Sequence, residues 1–384
     1  MGPGQPDVFA GVEERVPEPL AERLRTIRLV DHHVHGVFTS AGDRAGFEAA
    51  LNEGSTGPVP AFMSGFDLPV GVAVRRWCAP LLGLPPHASA DDYWTARATA
   101  SYDELCASFL QAAGVERWVV DTGLRPDLVT TPARMTELSG APCSEVLRLE
   151  ALMESVLHED DVPGAFRDRL DAAAPGLVGT KTIAAYRCGL DVDWSRPSDA
   201  AVVASARELA ARPGAPRVDS AVLVAFGVHE AAARGLPLQV HTGLGDRDLD
   251  LHRADPMLLL PLLRTMEPVP VLLLHCYPFH RQAGYLAQAF DHVSLDVGLA
   301  VNHLGSRSVE LVGETMELAP FAKQLYSSDA YGLPELHLLG SVLWRRATGL
   351  VLGDWVRRGE WSVDDAVRVA ELIGAGNARR VYGL

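Results

Sequence analysis

Two alternate histidines, His33 and His35, close the stretch Leu29-Val-Asp-His-His-Val-His-Gly36. The apolar lead-in of Ile27, Leu29 and Val30 suits a buried strand that ends in polar residues. Side chains two apart on a strand share a face, so Asp31, His33 and His35 point one way while His32 and Val34 point the other. Two neutral imidazoles held about 6–7 Å apart along a strand can grip one divalent ion. The Asp31 carboxylate is expected to orient one of the rings from behind.

The same pattern, a polar residue ending an apolar run, recurs at Glu150, Lys181, His241, His275 and Asp329. Any one of these has an ordinary reading, since a histidine after four apolar residues is most often hydrogen-bonded filler. Four histidines and an aspartate arriving on strands one, five, six and eight are harder to explain that way. Nitrogen and oxygen donors of this kind suit zinc, manganese or iron, and not magnesium or calcium, which prefer oxygen alone. Tyr186 and Arg187 follow the Lys181 strand in a loop facing the same opening, where an arginine either clamps a carboxylate bidentately or pairs on the surface. His280 and Arg281 begin a helix after the His275 strand, a place that favours anions.

The elements needed to position these groups follow in regular order. Strands are expected at Gly114–Asp121, Ser144–Glu150, Gly176–Ile183, Leu236–His241, Pro270–His275, His292–Val297 and Gln324–Asp329, after the first one at the histidines. Helical patterns at 151–173, 198–212 and 217–234 separate several of them, and 362–384 reads as one or two closing helices. Eight strands alternating with helices predict an α/β fold, a (β/α)8 TIM barrel, with an open doubly wound sheet as the competitor. Residues 38–112 contain no clear strand and read as a helical insertion after strand one, with helices at 43–51 and 92–113. At the C-terminal end of a strand it would lie over the active face. Its Phe66, Trp77 and Trp94 could wall a pocket or form a local core.

Composition agrees with one globular unit over 1–384: 48% of the residues are hydrophobic and 22% charged. A net charge of −15, with no basic run, makes nucleic acid a poor partner. No apolar stretch reaches the roughly 18–20 residues of a membrane span, and no leader pattern is visible, so the chain is expected in the cytoplasm. The five cysteines show no paired spacing and are read as reduced thiols. A small-molecule substrate is the expected partner, and a homo-oligomer is compatible with everything above.

These residues, in this order, resemble the amidohydrolase superfamily of metal-dependent barrels. The match runs through His33-Val-His35, Lys181, His241, His275, Asp329 and the closing Gly376-Asn-Ala-Arg-Arg-Val-Tyr382. Lys181-Thr-Ile-Ala-Ala-Tyr-Arg187, His241-Thr-Gly-Leu-Gly-Asp246 and His275-Cys-Tyr-Pro-Phe-His280 look like the bacterial branch related to the nodulin- and FluG-type domain attached to some glutamine synthetases. The resemblance implies His33, His35, His241, His275 and Asp329 as metal ligands, with Asp329 as proton shuttle. It leaves two arrangements open: a carbamylated Lys181 bridging two ions, or a single ion with His275 turned to substrate. Glu150 is the alternative bridge, and an unmodified Lys181 could instead bind a substrate carboxylate.

The leading expectation is hydrolysis of an amide C–N bond in a small, carboxylated substrate by metal-activated water. A metal-dependent, non-oxidative decarboxylase of a small aromatic acid is the runner-up. A non-catalytic metal-binding module is a third reading, disfavoured because such a module needs no proton shuttle.

Overall fold

In a computed structural model that describes residues 6–55 and 57–384, the strand expected at the first histidines forms as β1 (Leu29–Val34) and is buried throughout. It is followed by β2 (Val115–Asp121), β3 (Cys143–Arg148), β4 (Leu177–Thr182), β5 (Leu238–Thr242), β6 (Val271–His275) and β7 (Val293–Leu295). The seven make one parallel sheet in the order β1 to β7. Parallel neighbours need long crossovers, and each connection carries at least one helix. Helices on the sheet explain why β6 reads as an unbroken apolar run and not as an alternation.

The expected eighth strand does not form. Segment 324–332 instead lies between β7 and β1 and bonds to both: Leu325 N donates to the Leu295 carbonyl, His32 N to Tyr326, Asp329 N to His33 and His35 N to Ala330. Isolated bridges pair its Gln324 with Leu295 of β7 and its Gly332 with Val37 just past β1. Two local features break the extended run. The Asp31 carboxylate takes the Ser328 amide at 3.0 Å and its hydroxyl at 2.6 Å, and Asp329 turns into the left-handed region at φ +47°. That conformation costs about 1–2 kcal/mol for a residue with a Cβ, so the surroundings must hold it.

Between β1 and β2 lie the helices Arg44–Ala50, Pro69–Trp77, Ala90–Thr99 and Tyr102–Ala112. The single helix expected over 92–113 is two, broken where Ala100 becomes extended. Phe66 and Trp94 do not wall a pocket: they pack on Phe47 at ring distances of 5.5 and 5.8 Å, a local core, while Trp77 lies under the Arg76 and Arg346 guanidiniums. A buried ion pair of 2.6 Å, Arg97 to Glu335, ties this segment to the helix Pro334–Arg357, which starts just after Asp329. From the same helix His337 Nε2 donates to the His35 carbonyl at 2.9 Å. Removing one partner of the Arg97–Glu335 pair would leave a buried charge uncompensated.

The tail folds as the helices Val363–Glu371 and Asn377–Tyr382, joined by a π turn over Leu372–Gly376. It delivers Tyr382 to the buried side of β1. All five cysteines are free thiols, and among the described residues no helix is long and apolar enough to cross a membrane.

Candidate metal centre

The alternation of β1 is realised as two hydrogen-bond systems. On one side His33 donates Nδ1–H to Gln239 Oε1 at 2.8 Å, and His35 donates Nδ1–H to the Asp121 carbonyl at 2.9 Å. Those partners fix the tautomer, so both Nε2 lone pairs are left facing inward. On the other side His32 bridges Asp296 Oδ2 at 2.9 Å and the Tyr382 hydroxyl at 3.0 Å. Asp31 does not orient a ring as expected; it is spent on Ser328, and burial pushes its carboxyl up to about 8.

Lys181, at the end of β4, reaches His33 Nε2 at 2.8 Å and Asp121 Oδ2 at 3.5 Å. Its burial disfavours the ammonium and lowers its pKa. Asp121 and Arg148 are the neighbours that sequence reading missed. Arg148 clasps Asp121 Oδ2 through Nη2 at 2.6 Å. Burial opposes the Asp121 charge, yet Arg148 and Lys181 hold its carboxyl well below the usual range. The signal for Asp121 was present, since it too closes an apolar strand.

His241 is the last residue but one of β5 and His275 ends β6, with ring centroids 4.5 Å apart. Burial lowers the pKa of His33, His241 and His275 far below the ordinary value and that of His35 to about 3, so all four are neutral imidazoles. Asp329 sits among them: Oδ1 lies 3.1 Å from His33 Nε2 and 3.6 Å from His35 Nε2, and Oδ2 lies 3.3 Å from His275 Nδ1. Burial raises its carboxyl to about 6. Tyr186 packs its ring 4.7 Å from His241 and accepts the Asp246 amide on its hydroxyl. A side chain at Gly245 would collide with that hydroxyl.

Several donor atoms here are buried without any hydrogen-bond partner: His241 Nε2, both ring nitrogens of His275, and Asp329 Oδ1. Unpaired buried polar atoms are costly, and a bound cation would satisfy a cluster of them around convergent lone pairs. Two overlapping sets have ligand atoms close enough for one ion: His33, His35 and Asp121, and His33, His275 and Asp329. The donor chemistry therefore fits a divalent metal bound by nitrogen and oxygen.

Four expected site residues lie elsewhere. Glu150 falls in the first turn of the helix Leu149–Val156, where its Oε1 accepts from Thr182 Oγ1 and Ile183 N, and it belongs to neither set of convergent ligand atoms. Arg187 is held by Glu154 at 2.6 Å and by the Val218 carbonyl. His280 pairs with Glu314 at 2.8 Å, and Arg281 with Glu317 at 2.9 Å. Arg187 and Arg281 are each paired with a carboxylate and His280 is hydrogen-bonded to one, so none of the three is free for the expected anion contacts.

Above the cluster opens a cavity of about 420 Å³, reached by His35 and Asp329 from below. Phe38, Leu124, Leu128 and Tyr331 supply apolar wall, and Asn52, Glu53, Ser55, Arg125 and Asp246 supply polar groups. Glu53 and Arg125 carried no signal in the sequence.

The amidohydrolase family model matches residues 159–384, more than half of the chain. The chain is 28% identical to Protein fluG of Emericella nidulans, over 95% of this chain and 47% of that protein, so it spans about half the length of that curated relative. Among solved structures it is similar to a protein of Lactobacillus casei ATCC 334 described as a metal-dependent hydrolase, with 25% identity, a TM-score of 0.83, and coverage of 95% and 97% of the two chains. A uronate isomerase of Bacillus halodurans C-125 shares the fold at 15% identity and a TM-score of 0.64, over 95% and 96% of the chains.

Proposed function

This chain belongs to the amidohydrolase family, and on that premise we propose that it is a metal-dependent hydrolase cleaving a C–N bond of a small amide with metal-activated water. The observation that carries the reading is the convergence of the His33 and His35 Nε2 atoms on Asp329, beside His275 nitrogens that have no partner. His33, His35, His241, His275 and Asp329 would hold the metal, zinc by donor preference, with manganese or iron as alternatives. When bound, such an ion lowers the pKa of its water from 15.7 to about 7 and polarises a carbonyl.

The chain's own residues then supply proton handling and order. Asp329, between His33, His35 and His275, takes the proton of the attacking water on a carboxylate oxygen and delivers it to the leaving nitrogen. Gln239 and the Asp121 carbonyl keep the Nε2 atoms of His33 and His35 in ligand form. Lys181 is the proposed bridge. An ammonium 2.8 Å from His33 Nε2 would occupy the ligand lone pair and repel a cation, whereas its lowered pKa favours the free amine that carbon dioxide carbamylates. In this reading 324–332 serves as the eighth stave of a (β/α)8 barrel, and 38–112 is an insertion over its active face.

The test is elemental analysis of the purified protein together with ammonia or amine release from a panel of small amides. Stoichiometric zinc, manganese or iron, and loss of turnover on chelation that metal restores, are expected. Full turnover in a metal-free chain would overturn the proposal.

A further inference from the structure

The chain that follows β2 is fastened to the candidate centre. Gly123 N donates to Asp121 Oδ1 at 2.8 Å and Thr39 N to the Leu128 carbonyl at 3.0 Å, so the turn between them is tied to the end of β2 and to the chain beyond β1. Within that turn Arg125 stands in the left-handed region at φ +41°, directly before Pro126, where a residue with a Cβ is rarely found. Backbone held in this way gathers at ligand clamps. Arg125 is exposed at the mouth, is the one arginine or lysine of the cavity lining, and has no side-chain hydrogen bond or ion pair among the described residues. Tyr331 lines the same cavity, edge-on to His35 and Phe38 at ring distances of 5.8 and 5.3 Å, and its hydroxyl is buried with no hydrogen-bond partner among the described residues. Phe38 N pins the next residue by donating to the Gly332 carbonyl at 2.7 Å. Burial raises the Tyr331 phenol; the charges that act on it are Arg125, which opposes the shift, and Asp127, which adds to it and lies outside the cavity lining. The lining acids form a separate group: burial, Asp329 and Asp246 push the Glu53 carboxyl up to about 8, and Arg125 is not among the charges acting on it.

We infer that Arg125 and Tyr331 form a subsite for a substrate carboxylate, which makes the substrate class small amides that carry a carboxylate. The inference rests on the amide-hydrolase reading for the reaction, but the subsite itself is defined by the two side chains. A carboxylate accepts two guanidinium N–H bonds at once and keeps lone pairs for a phenol, so one group satisfies both donors. His35 and Asp329 reach the same cavity of about 420 Å³ from the metal centre, so a single small molecule can present an amide to the centre and an anion to Arg125. The apolar wall of Phe38, Leu124 and Leu128 suits the carbon between the two. The carboxylate preference expected of Arg187 thus moves to an arginine that no carboxylate holds.

Calorimetric binding to the metal-loaded protein tests this with three probes that share one side chain: N-acetyl-L-leucine, its isosteric amide N-acetyl-L-leucinamide, and the cation L-leucinamide. Where a probe is turned over, kcat/KM replaces the binding constant. N-acetyl-L-leucine should bind about tenfold or more tightly than N-acetyl-L-leucinamide, and L-leucinamide should bind weakest. Arg125→Gln should remove the preference while leaving metal content unchanged, and Tyr331→Phe, which keeps the ring, should reduce it by about threefold. Equal or tighter binding of either probe without a carboxylate, or no binding of any probe, would overturn the subsite. A preference that survives Arg125→Gln would put the carboxylate on the metal ion and overturn it as well. Release of leucine from N-acetyl-L-leucine is read separately. A protein that shows the carboxylate preference yet releases no amine from any probe keeps the subsite and loses the hydrolase reading.

Discussion

Gln239 Nε2 donates to the Tyr382 hydroxyl at 2.7 Å, and this joins the last helix of the chain to the first histidine pair. The same amide donates to the His32 carbonyl at 2.8 Å, and its Oε1 takes His33 Nδ1–H. The buried line Asp296, His32, Tyr382, Gln239, His33 therefore fixes one ring at the candidate centre. Gln239→Leu removes the acceptor, and metal affinity should fall about 10–100-fold, the usual cost of losing such a partner. Competition with a chelator checks this; unchanged affinity would show that Gln239 only fills space.

Asp329→Asn keeps the shape of the side chain but removes the base. Turnover should drop by about two to four orders of magnitude, the range general acid–base groups contribute, with little change in KM. Near-normal kcat in a folded variant would take Asp329 out of the proton transfer.

Lys181 decides between one ion and two. With a carbamate, the loaded protein should hold about two ions per chain, and reconstitution of the metal-free chain should depend on bicarbonate. A single ion at saturation, with an unmodified lysine in a high-resolution map, would refute the bridge.

Metal affinity should respond to pH through Asp329 first. Its folded pKa of about 6 lies above the ordinary carboxylate value, while the four imidazoles are lowered, so Asp329 is the first ligand to protonate as pH falls. Bound metal needs the deprotonated form, so affinity weakens below about pH 6, with a slope of about one in log K per pH unit. In the metal-free chain the sign is opposite for this group: its raised pKa stabilises the fold at low pH, an effect lost as pH rises through about 6. A slope of two or more in a pH series of chelator titrations would mean that histidines protonate in the same range.

Arg187→Ala should act on stability and not on substrate choice. The side chain is largely buried against Glu154 and the Val218 carbonyl, so the loss should cost about 1–3 kcal/mol. Denaturant melts measure the cost, and KM values for charged and uncharged amides should move together. A selective loss for carboxylated substrates would restore Arg187 to the site.

The sequence by itself determined the donor types and their order. Strand periodicity and apolar runs are local properties, so His33, His35, Lys181, His241 and His275 could be placed at or beside strand ends, and parallel βα alternation could be read, without any knowledge of packing, whereas Asp329 lies in a segment that forms no strand. Tertiary structure decided what each charge is spent on. Arg187 looks like a ligand clamp, and His280 and Arg281 like anion contacts, until Glu154, Glu314 and Glu317 arrive from other elements to pair with them. Glu150 missed the centre because β3 stops at Arg148, and Asp121 joined it because Arg148 and Lys181 lie on neighbouring strands. The Arg125 and Tyr331 pair, and the line from Tyr382 through Gln239 to His33, bring together residues far apart in the chain. Hydrogen bonds and ion pairs act over a few ångströms in space, whatever the separation along the sequence. A residue's type sets what it can do, and only its neighbours in the fold set what it is free to do.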